Sequence, residues 1–507
     1  MTPLAARHAE DAVPIAPRSD GAEDGAVVIG AGPNGLAAAV TLARAGVKVL
    51  VLEAEERIGG ACRHAEATVP GVTHDLGSAV HPLGAGSPAF RRWPLEAYGL
   101  RWVHPPLPAA HPLPDGPAGR LERSLDATAE GLGADGEAWR FLSGPTTRGF
   151  DEVAATVLGP LLRWPSAPLR VARFGARAWA PATWSGATLR TQAGRALWAG
   201  MAAHASSPLS ALGTSAIALM LVAAGQRVGW PFPEGGSGRI TLALRRYLER
   251  LSGEVRTGAP VPHLDRLPPA RAVLCTTTPE AFRRIAAGRL PAGYDRALAR
   301  YRPGEAVVKL DLAVDGGLPW RDEACASAGT VHLGGRAEEI AAAEAAVASG
   351  RIPDRPYVLV AQPGRFDRSR CAGSVEPIWA YAHLPRALAH DPEAVDALAA
   401  RIVASLEAAA PGCGARTVAR RVAGPTVLAG ENRNLAGGDI AAGATSLTQL
   451  LARPVARRLP YRTPVPGVYL AGASTPPGPG VHGMAGVWAA RTALRDRFGV
   501  AVPVDRL

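Results

Sequence analysis

The sequence predicts an α/β fold: a parallel sheet covered by helices and discontinuous along the chain, with an α+β domain inserted into it. Three observations carry that prediction. Residues 26–53, AVVIGAGPNGLAAAVTLARAGVKVLVLE, read as strand, glycine turn, helix, strand and terminal acid. Residues 467–494 give strand, glycine-rich loop and helix again near the other end of the chain. Between them, residues 89–230 turn rich in Trp, Pro and Arg and carry helical rather than βαβ patterning. At 507 residues with 47% hydrophobic content, the chain has the material for two domains and a large core.

The opening motif is specific because each part falls where a dinucleotide needs it. Val27, Val28 and Ile29 form a short apolar strand, and Gly30, Gly32 and Gly35 give G-x-G-x-x-G directly after it, enclosing Pro33 and Asn34. The first glycine permits the tight turn, the second lets backbone approach a pyrophosphate, and the third lets the helix pack on the strand. The helix from Leu36 to Ala45 offers unpaired N–H groups and a positive dipole end to phosphate. Glu53 closes the second strand ahead of Ala54; it accepts hydrogen bonds from a ribose 2′-OH and repels a 2′-phosphate.

Arg57-Ile58-Gly59-Gly60-Ala61 follows, an arginine ahead of two glycines that a plain NAD site lacks. It resembles the R-x-G-G element of flavoproteins, in which Arg and backbone contact the FAD diphosphate and ribose. Residues 73–78, ending in Gly77 and Ser78, predict a strand and turn returning toward that site, with His81 just beyond. Helices are predicted at 150–158 and 195–205. The apolar run 211–224, ALGTSAIALMLVAA, is too short to span a bilayer and predicts a buried helix or the wall of an apolar cavity.

Residues 229–238, GWPFPEGGSG, are a dense turn signal, and an amphipathic helix follows at 239–251. Short strands at 253–257 and 271–277, carrying Val255 and Thr276, bring the chain back to the sheet. Residues 306–314, AVVKLDLAV, alternate at period two and predict a half-buried strand. Lys48 and Lys309 are the only lysines in an arginine-rich chain. A compact ammonium at Lys309 can hold a water where a planar guanidinium cannot, or it is simply an exposed strand lysine. A helix is predicted at 391–410. The last strand, 467–472, then opens through Gly472, Ala473, Gly480, Val481, His482, Gly483 and Met484 into a helix ending at Leu494. Such a loop presents backbone donors and positive potential to an anionic group.

The formal net charge is +11, nearly all from dispersed arginine. That dispersal predicts no nucleic-acid partner, while a basic surface leaves peripheral contact with an anionic membrane open. Five scattered cysteines in no metal or C-x-x-C spacing predict free thiols, no metal site and a cytoplasmic setting. Residues 1–24 lack the apolar segment of a signal peptide and are predicted to be a flexible tail. No feature signals an oligomeric state.

The two end motifs, GWPFPEGGSG, the lysine strand with its following Pro319-Trp320, and the Gly437-Gly438-Asp439 loop together resemble the phytoene dehydrogenase-like branch of the flavin amine oxidase superfamily. The resemblance implies an FAD-binding domain of Rossmann type assembled from residues 25–88, 231–295 and 455–507. It implies a substrate-binding domain from 89–230 and 296–454. It places Gly30, Gly32, Pro33, Asn34, Gly35, Glu53, Ala54, Arg57, Gly59, Gly60, Ala61, Gly77, Ser78, Val255, Thr276 and the Gly472–Met484 loop on FAD, with the loop on the flavin N1–C2 side. It gives Lys309 the role of holding a water near flavin N5. His482 and His81 are the other catalytic candidates beside the flavin, with His204 as an outlying one.

Two departures narrow the expectation. Amine oxidases usually carry a tyrosine before the final helix, whereas Gly480-Val481-His482-Gly483 has none; and no cysteine lies beyond Cys413, so FAD is expected to be noncovalent. With one dinucleotide fingerprint only, electrons are expected to leave to oxygen, a quinone or another external acceptor. The leading expectation is an FAD-dependent oxidoreductase that dehydrogenates or desaturates a largely apolar small molecule, carotenoid-, lipid- or secondary-metabolite-like. Redox-neutral isomerisation, amine oxidation and a non-catalytic partner-binding role are the alternatives.

Overall fold

The computed structural model describes residues 24–161 and 163–502. Apart from Asp24, the predicted tail lies outside the described residues. Five short strands, apolar except for the edge strand Glu254–Arg256, form an all-parallel sheet in the order Val468–Leu470, Ala272–Cys275, Ala26–Ile29, Val49–Leu52, Glu254–Arg256. Val28 sits beside Leu274 on one side and Val51 on the other. Such strands are continuous apolar runs because helices cover both faces of a parallel sheet. Here Pro33–Arg44 and Met484–Ala493 cover one face, and Pro279–Ile285 and Ala292–Ala299 the other.

A second sheet has seven strands, in the order Thr417–Ala423, Ala306–Asp315, Val375–Leu384, Val358–Ala361, Ala328–Leu333, Leu107–Leu113, Gly116–Leu121. All neighbours are antiparallel except Ala328–Leu333 with Leu107–Leu113. Alternate residues, among them Val308, Leu310, Ile378 and Ala380, pack on the helix Pro392–Ala409 through Leu398, Ile402 and Leu406. The opposite face carries Lys309, Asp311, Trp379, Tyr381, His383, His332 and His111.

Two expectations change. The strand at Ala306–Asp315 is buried on both faces except at its last residue, rather than half exposed. Its polar alternation marks an internal charged face, not a solvated one. The apolar run is helical over Thr214–Arg227, three residues later than the sequence pattern, because Gly213 takes φ +85° and cannot belong to the helix. That helix and Gln192–Ala203 lie over the polar sheet face. Gly200 fits between His332 and His111, where a Cβ would stand 2.8 Å from one Nδ1 and 3.1 Å from the other.

All five cysteines are free. Among the described residues, no helix is long and apolar enough to cross a membrane, and no cluster of His, Cys, Asp or Glu is arranged to hold a metal ion.

Candidate active site

The strand order brings the two ends of the chain together. Ala272–Cys275 lies between the first strand and the last, so Thr276 at its end touches both glycine loops. Its hydroxyl donates to the Ile29 carbonyl at 2.7 Å, and a Cβ on Gly472 would fall 3.0 Å from its carbonyl oxygen. The helices that follow the loops cross at Gly486, where a Cβ would lie 1.8 Å from the Asn34 carbonyl oxygen. Both helices begin at a glycine with no side-chain cap, Gly32 and Gly483. Two positive helix ends therefore converge on one region, an arrangement suited to phosphate and to a group that gains negative charge on reduction.

The remaining predicted cofactor residues gather around that region. Gly59 N–H donates to the Ala31 carbonyl at 3.0 Å, and Gly60 faces Gly32 so closely that a Cβ on Gly60 would come within 3.2 Å of the Gly32 Cα. Bare backbone on both sides leaves a slot that a side chain would fill. The Glu53 carboxylate accepts from Ala31 N–H at 2.6 Å and Glu55 N–H at 3.1 Å, which aims it at the glycine turn. Ser78 N–H donates to the Ala61 carbonyl at 3.0 Å, setting Gly77 and Ser78 beside Ala61. Val255 pairs with Val51 at the sheet edge, and the Arg256 carbonyl accepts from Glu53 N–H. Ala54 and Ala473 are half-buried at the strand and loop ends, while Arg57 is exposed.

Val481 adopts φ +54°. A β-branched residue in the left-handed region is an outlier, and such strain persists where the surroundings fix it, commonly at ligand sites. Asn34 Oδ1 and Thr277 Oγ1 are buried without a partner, as expected of groups awaiting a polar ligand. Two helices that begin at glycine, a bare backbone slot, an acid at the ribose position and unpaired buried polar atoms together fit an extended dinucleotide such as FAD.

The three catalytic candidates have distinct surroundings. Lys309 is 2% exposed and its ammonium pairs with Asp311. Asp311 also accepts from Arg421 at 3.1 Å, and Arg421 in turn pairs with Glu431. Burial lowers the Lys309 pKa while Asp311 opposes that shift. His74 lies 3.7 Å from Asp311, and the Trp379 indole donates to the Gly77 carbonyl at 2.9 Å, so this charged sheet face abuts the segment that reaches the cradle.

The His482 Nδ1 accepts from Met484 N–H at 3.0 Å. Burial lowers its pKa to about 4, with the Gly478 and Pro479 carbonyls opposing. A neutral ring with Nδ1 occupied is suited to donate at Nε2 rather than to act as a base. His81 contacts the Ser237 hydroxyl through Nε2 at 3.3 Å and keeps Nδ1 unpaired. Burial lowers its pKa also to about 4. His204 stands apart from these groups, with Nε2 3.0 Å from His332 Nε2 on the polar face. On the same face His383 bridges Glu344 and Ser206, each at 2.9 Å.

Three further residues at the cradle escaped the sequence pattern. Asn434 donates to the Thr276 carbonyl at 3.1 Å, Asn432 reaches Gly60, and the Arg63 side chain lies against Gly59. The asparagines come from a loop more than 150 residues from the strand they meet, and no local signal marks them. The arginine lies three residues past Gly60, where the spacing alone gave a cue.

Residues 172–492 match the family model described as flavin containing amine oxidoreductase, and residues 28–93 match an NAD(P)-binding Rossmann-like domain. The chain is 26% identical over 550 residues to mouse pyridine nucleotide-disulfide oxidoreductase domain-containing protein 2, covering 93% of each. It is 31% identical over 268 residues to hydroxyneurosporene desaturase of Cereibacter sphaeroides, covering 47% of this chain and 50% of that one. A solved oxidoreductase from Methanosarcina mazei shares the fold at TM-score 0.60 and 18% identity, over 91% of this chain and 98% of that one.

Proposed function

Because the chain belongs to the flavin-containing amine oxidoreductase family, we propose that this FAD-dependent oxidoreductase dehydrogenates or desaturates a largely apolar small molecule. FAD is held noncovalently, and the electrons pass to an external acceptor such as oxygen or a quinone. The observation that carries the proposal is the pairing of charge on the polar sheet face. Asp311 is neutralised by Lys309 and Arg421, and Glu344 is hydrogen-bonded to His383. Among the described residues, the carboxylates Asp311 and Glu344 at that face are each already partnered, and Gly480–Gly483 contributes no tyrosine to an amine cage.

When bound, FAD supplies the two-electron acceptor. The chain's own residues do the rest. The helix ends at Gly32 and Gly483 hold negative charge, and Glu53 takes the ribose hydroxyls. The packed sheet face excludes water. Lys309 keeps a proton at Nζ through Asp311, and an ammonium with three donors has N–H groups left over to fix a water.

The test is anaerobic mixing of the flavoprotein with lipophilic alkenes and with amines, following flavin bleaching and product. Bleaching by the apolar panel is expected. Bleaching by amines alone, or turnover without net flavin reduction, would overturn the proposal. For Lys309→Met, flavin reduction by substrate is expected to slow roughly a hundredfold, the lower range for a positioned proton-transfer group, with FAD content unchanged. An unaltered reduction rate excludes the role given to Lys309.

A further inference from the structure

The exposed apolar side chains of this protein are concentrated in one stretch. Ten large apolar residues are exposed among the described residues, and six of them, Phe141, Leu161, Trp164, Leu169, Trp179 and Trp184, fall between residues 141 and 184. Exposed apolar residues scattered singly need no explanation, whereas a cluster marks an interaction surface. Trp164 is 86% exposed and Trp184 70%, so the largest apolar side chains here face water.

The helix Pro168–Ala178 shows how the surface is built. It buries Phe174 and Ala178 against the protein. Leu169, Ala172 and Ala176 point outward at three- and four-residue spacing, and Trp179 continues the stripe. Among the described residues, nothing covers this apolar stripe on the solvent side. Arg170, Arg173 and Arg177 flank it, and the Arg177 guanidinium lies over the Phe141 ring at 5.0 Å. Trp164 lines a cleft with Arg163, Arg457, Arg458 and Arg495.

Charge in this region is of one sign. The 81 residues between Glu152 and Glu234 contain seven arginines and no aspartate, glutamate or lysine. Neighbouring acids are already engaged: Glu152 by Arg170, and Asp496 by Arg462.

We propose that this face is a docking surface for an anionic lipid bilayer, entered by Trp164, Trp179, Trp184 and the outer stripe of Pro168–Ala178 while the arginines meet lipid phosphates. Tryptophan favours the headgroup level, and each arginine near an anionic leaflet adds attraction. A helix with apolar and basic residues on its outer side lies in the interface plane rather than across it. Nucleic acid fits less well, because exposed Leu161, Leu169 and Ala176 offer nothing to stacked bases. The surface is also close to the cofactor helix. The Trp488 indole, on Met484–Ala493, donates to the Leu158 carbonyl at 2.9 Å and lies under the Arg163 guanidinium at 4.6 Å. Docking would thus seat the bilayer one indole away from the helix that begins at the FAD cradle.

The experiment is co-sedimentation of the full-length holoprotein with phosphatidylcholine vesicles, with and without phosphatidylglycerol, at low and high salt. Binding is expected to the anionic vesicles, and to weaken with salt. Arg173→Gln with Arg458→Gln is expected to lower partitioning roughly tenfold or more, at about fivefold for each charge. Trp164→Ala with Trp184→Ala is expected to lower it at least as far. FAD content is expected to stay at the wild-type level in both double variants, which lie on different segments and so check one another for misfolding. Equal binding to neutral vesicles, no binding to anionic ones, or wild-type binding by both variants overturns the proposal. So does a wild-type dimer that the tryptophan variant dissociates, which would make the face an interface between copies of the chain.

Discussion

Gly486→Val is expected to yield protein purified without FAD and destabilised by at least about 3 kcal/mol, above the usual range for an overpacked side chain. The added Cβ would meet the Asn34 carbonyl oxygen at 1.8 Å, its carbon at 2.7 Å and the Ala38 nitrogen at 3.0 Å. All three are backbone atoms, so no rotamer change relieves the clash and the helices Pro33–Arg44 and Met484–Ala493 must separate. Their N-termini are the two halves of the proposed cradle, so separation spreads the donors that would hold the dinucleotide. The ratio of flavin to protein absorbance and the urea midpoint measure the two effects. Gly499→Ala is the control. Gly499 has φ +68° and nothing within 4 Å of an added Cβ, so alanine there costs only left-handed strain, about 1 kcal/mol, and FAD is retained. Stoichiometric FAD in Gly486→Val would show that the helix crossing does not set the site.

The half of the cradle that is contiguous in sequence was legible because its physics is local. A strand, a glycine turn, a helix and an acid at fixed spacing leave little freedom, and Gly30, Gly35 and Glu53 sit as the motif requires. The far loop was legible for the same reason. What was not legible depends on pairing across long separations. Asn434 reaches Thr276 only because residues 425–438 run beside the end of the nucleotide-binding sheet. Lys309 and Asp311 are two residues apart, and period two put them on one face. The same alternation normally marks a solvated face, yet here the two charges neutralise each other under a second layer. Gly213 displaced a helix start that the apolar run alone placed too early. Arg370, in the sequence Asp367-Arg368-Ser369-Arg370, looks like any surface turn, although it is wholly buried.

That buried arginine carries the other large effect. Arg370 donates to Asp75 at 2.6 Å, to Asp367 at 3.0 Å and to the Pro233 carbonyl at 2.5 Å. Asp75 accepts in addition from Ser237 N–H and Oγ at 2.7 and 2.6 Å, and Asp367 from Gly235 N–H at 2.7 Å. One guanidinium thus joins three segments: His74–Asp75 leading to Gly77, the 232–238 turn, and the 367–370 turn. Arg370→Met leaves two buried carboxylates without their cation, and breaking such a group costs about 3–5 kcal/mol. The loss depends on pH, and its sign follows from the carboxylates. Burial alone would raise the Asp75 pKa, but Arg370 and Ser237 hold it below the ordinary value; Asp367 is held down against burial by Ser369, Gly235 and Arg370. In the wild type, both therefore contribute stability above the unfolded-state carboxylate pKa, and that contribution fades as pH falls through the lower folded value. In the variant, burial is opposed only by the hydrogen bonds from Ser237 to Asp75 and from Ser369 and Gly235 to Asp367. The folded pKa values then rise from their wild-type positions, and the penalty grows as pH climbs. The gap between wild type and Arg370→Met is accordingly expected to be widest near neutral pH and to narrow toward pH 4. Urea titrations at the two pH values measure it. Because Asp75 fixes the segment bearing Gly77 and Ser78, the variant is also expected to bind FAD more weakly at neutral pH. A gap independent of pH would mean that Arg370 acts through packing alone, and that the carboxylates it touches find other partners when it is gone.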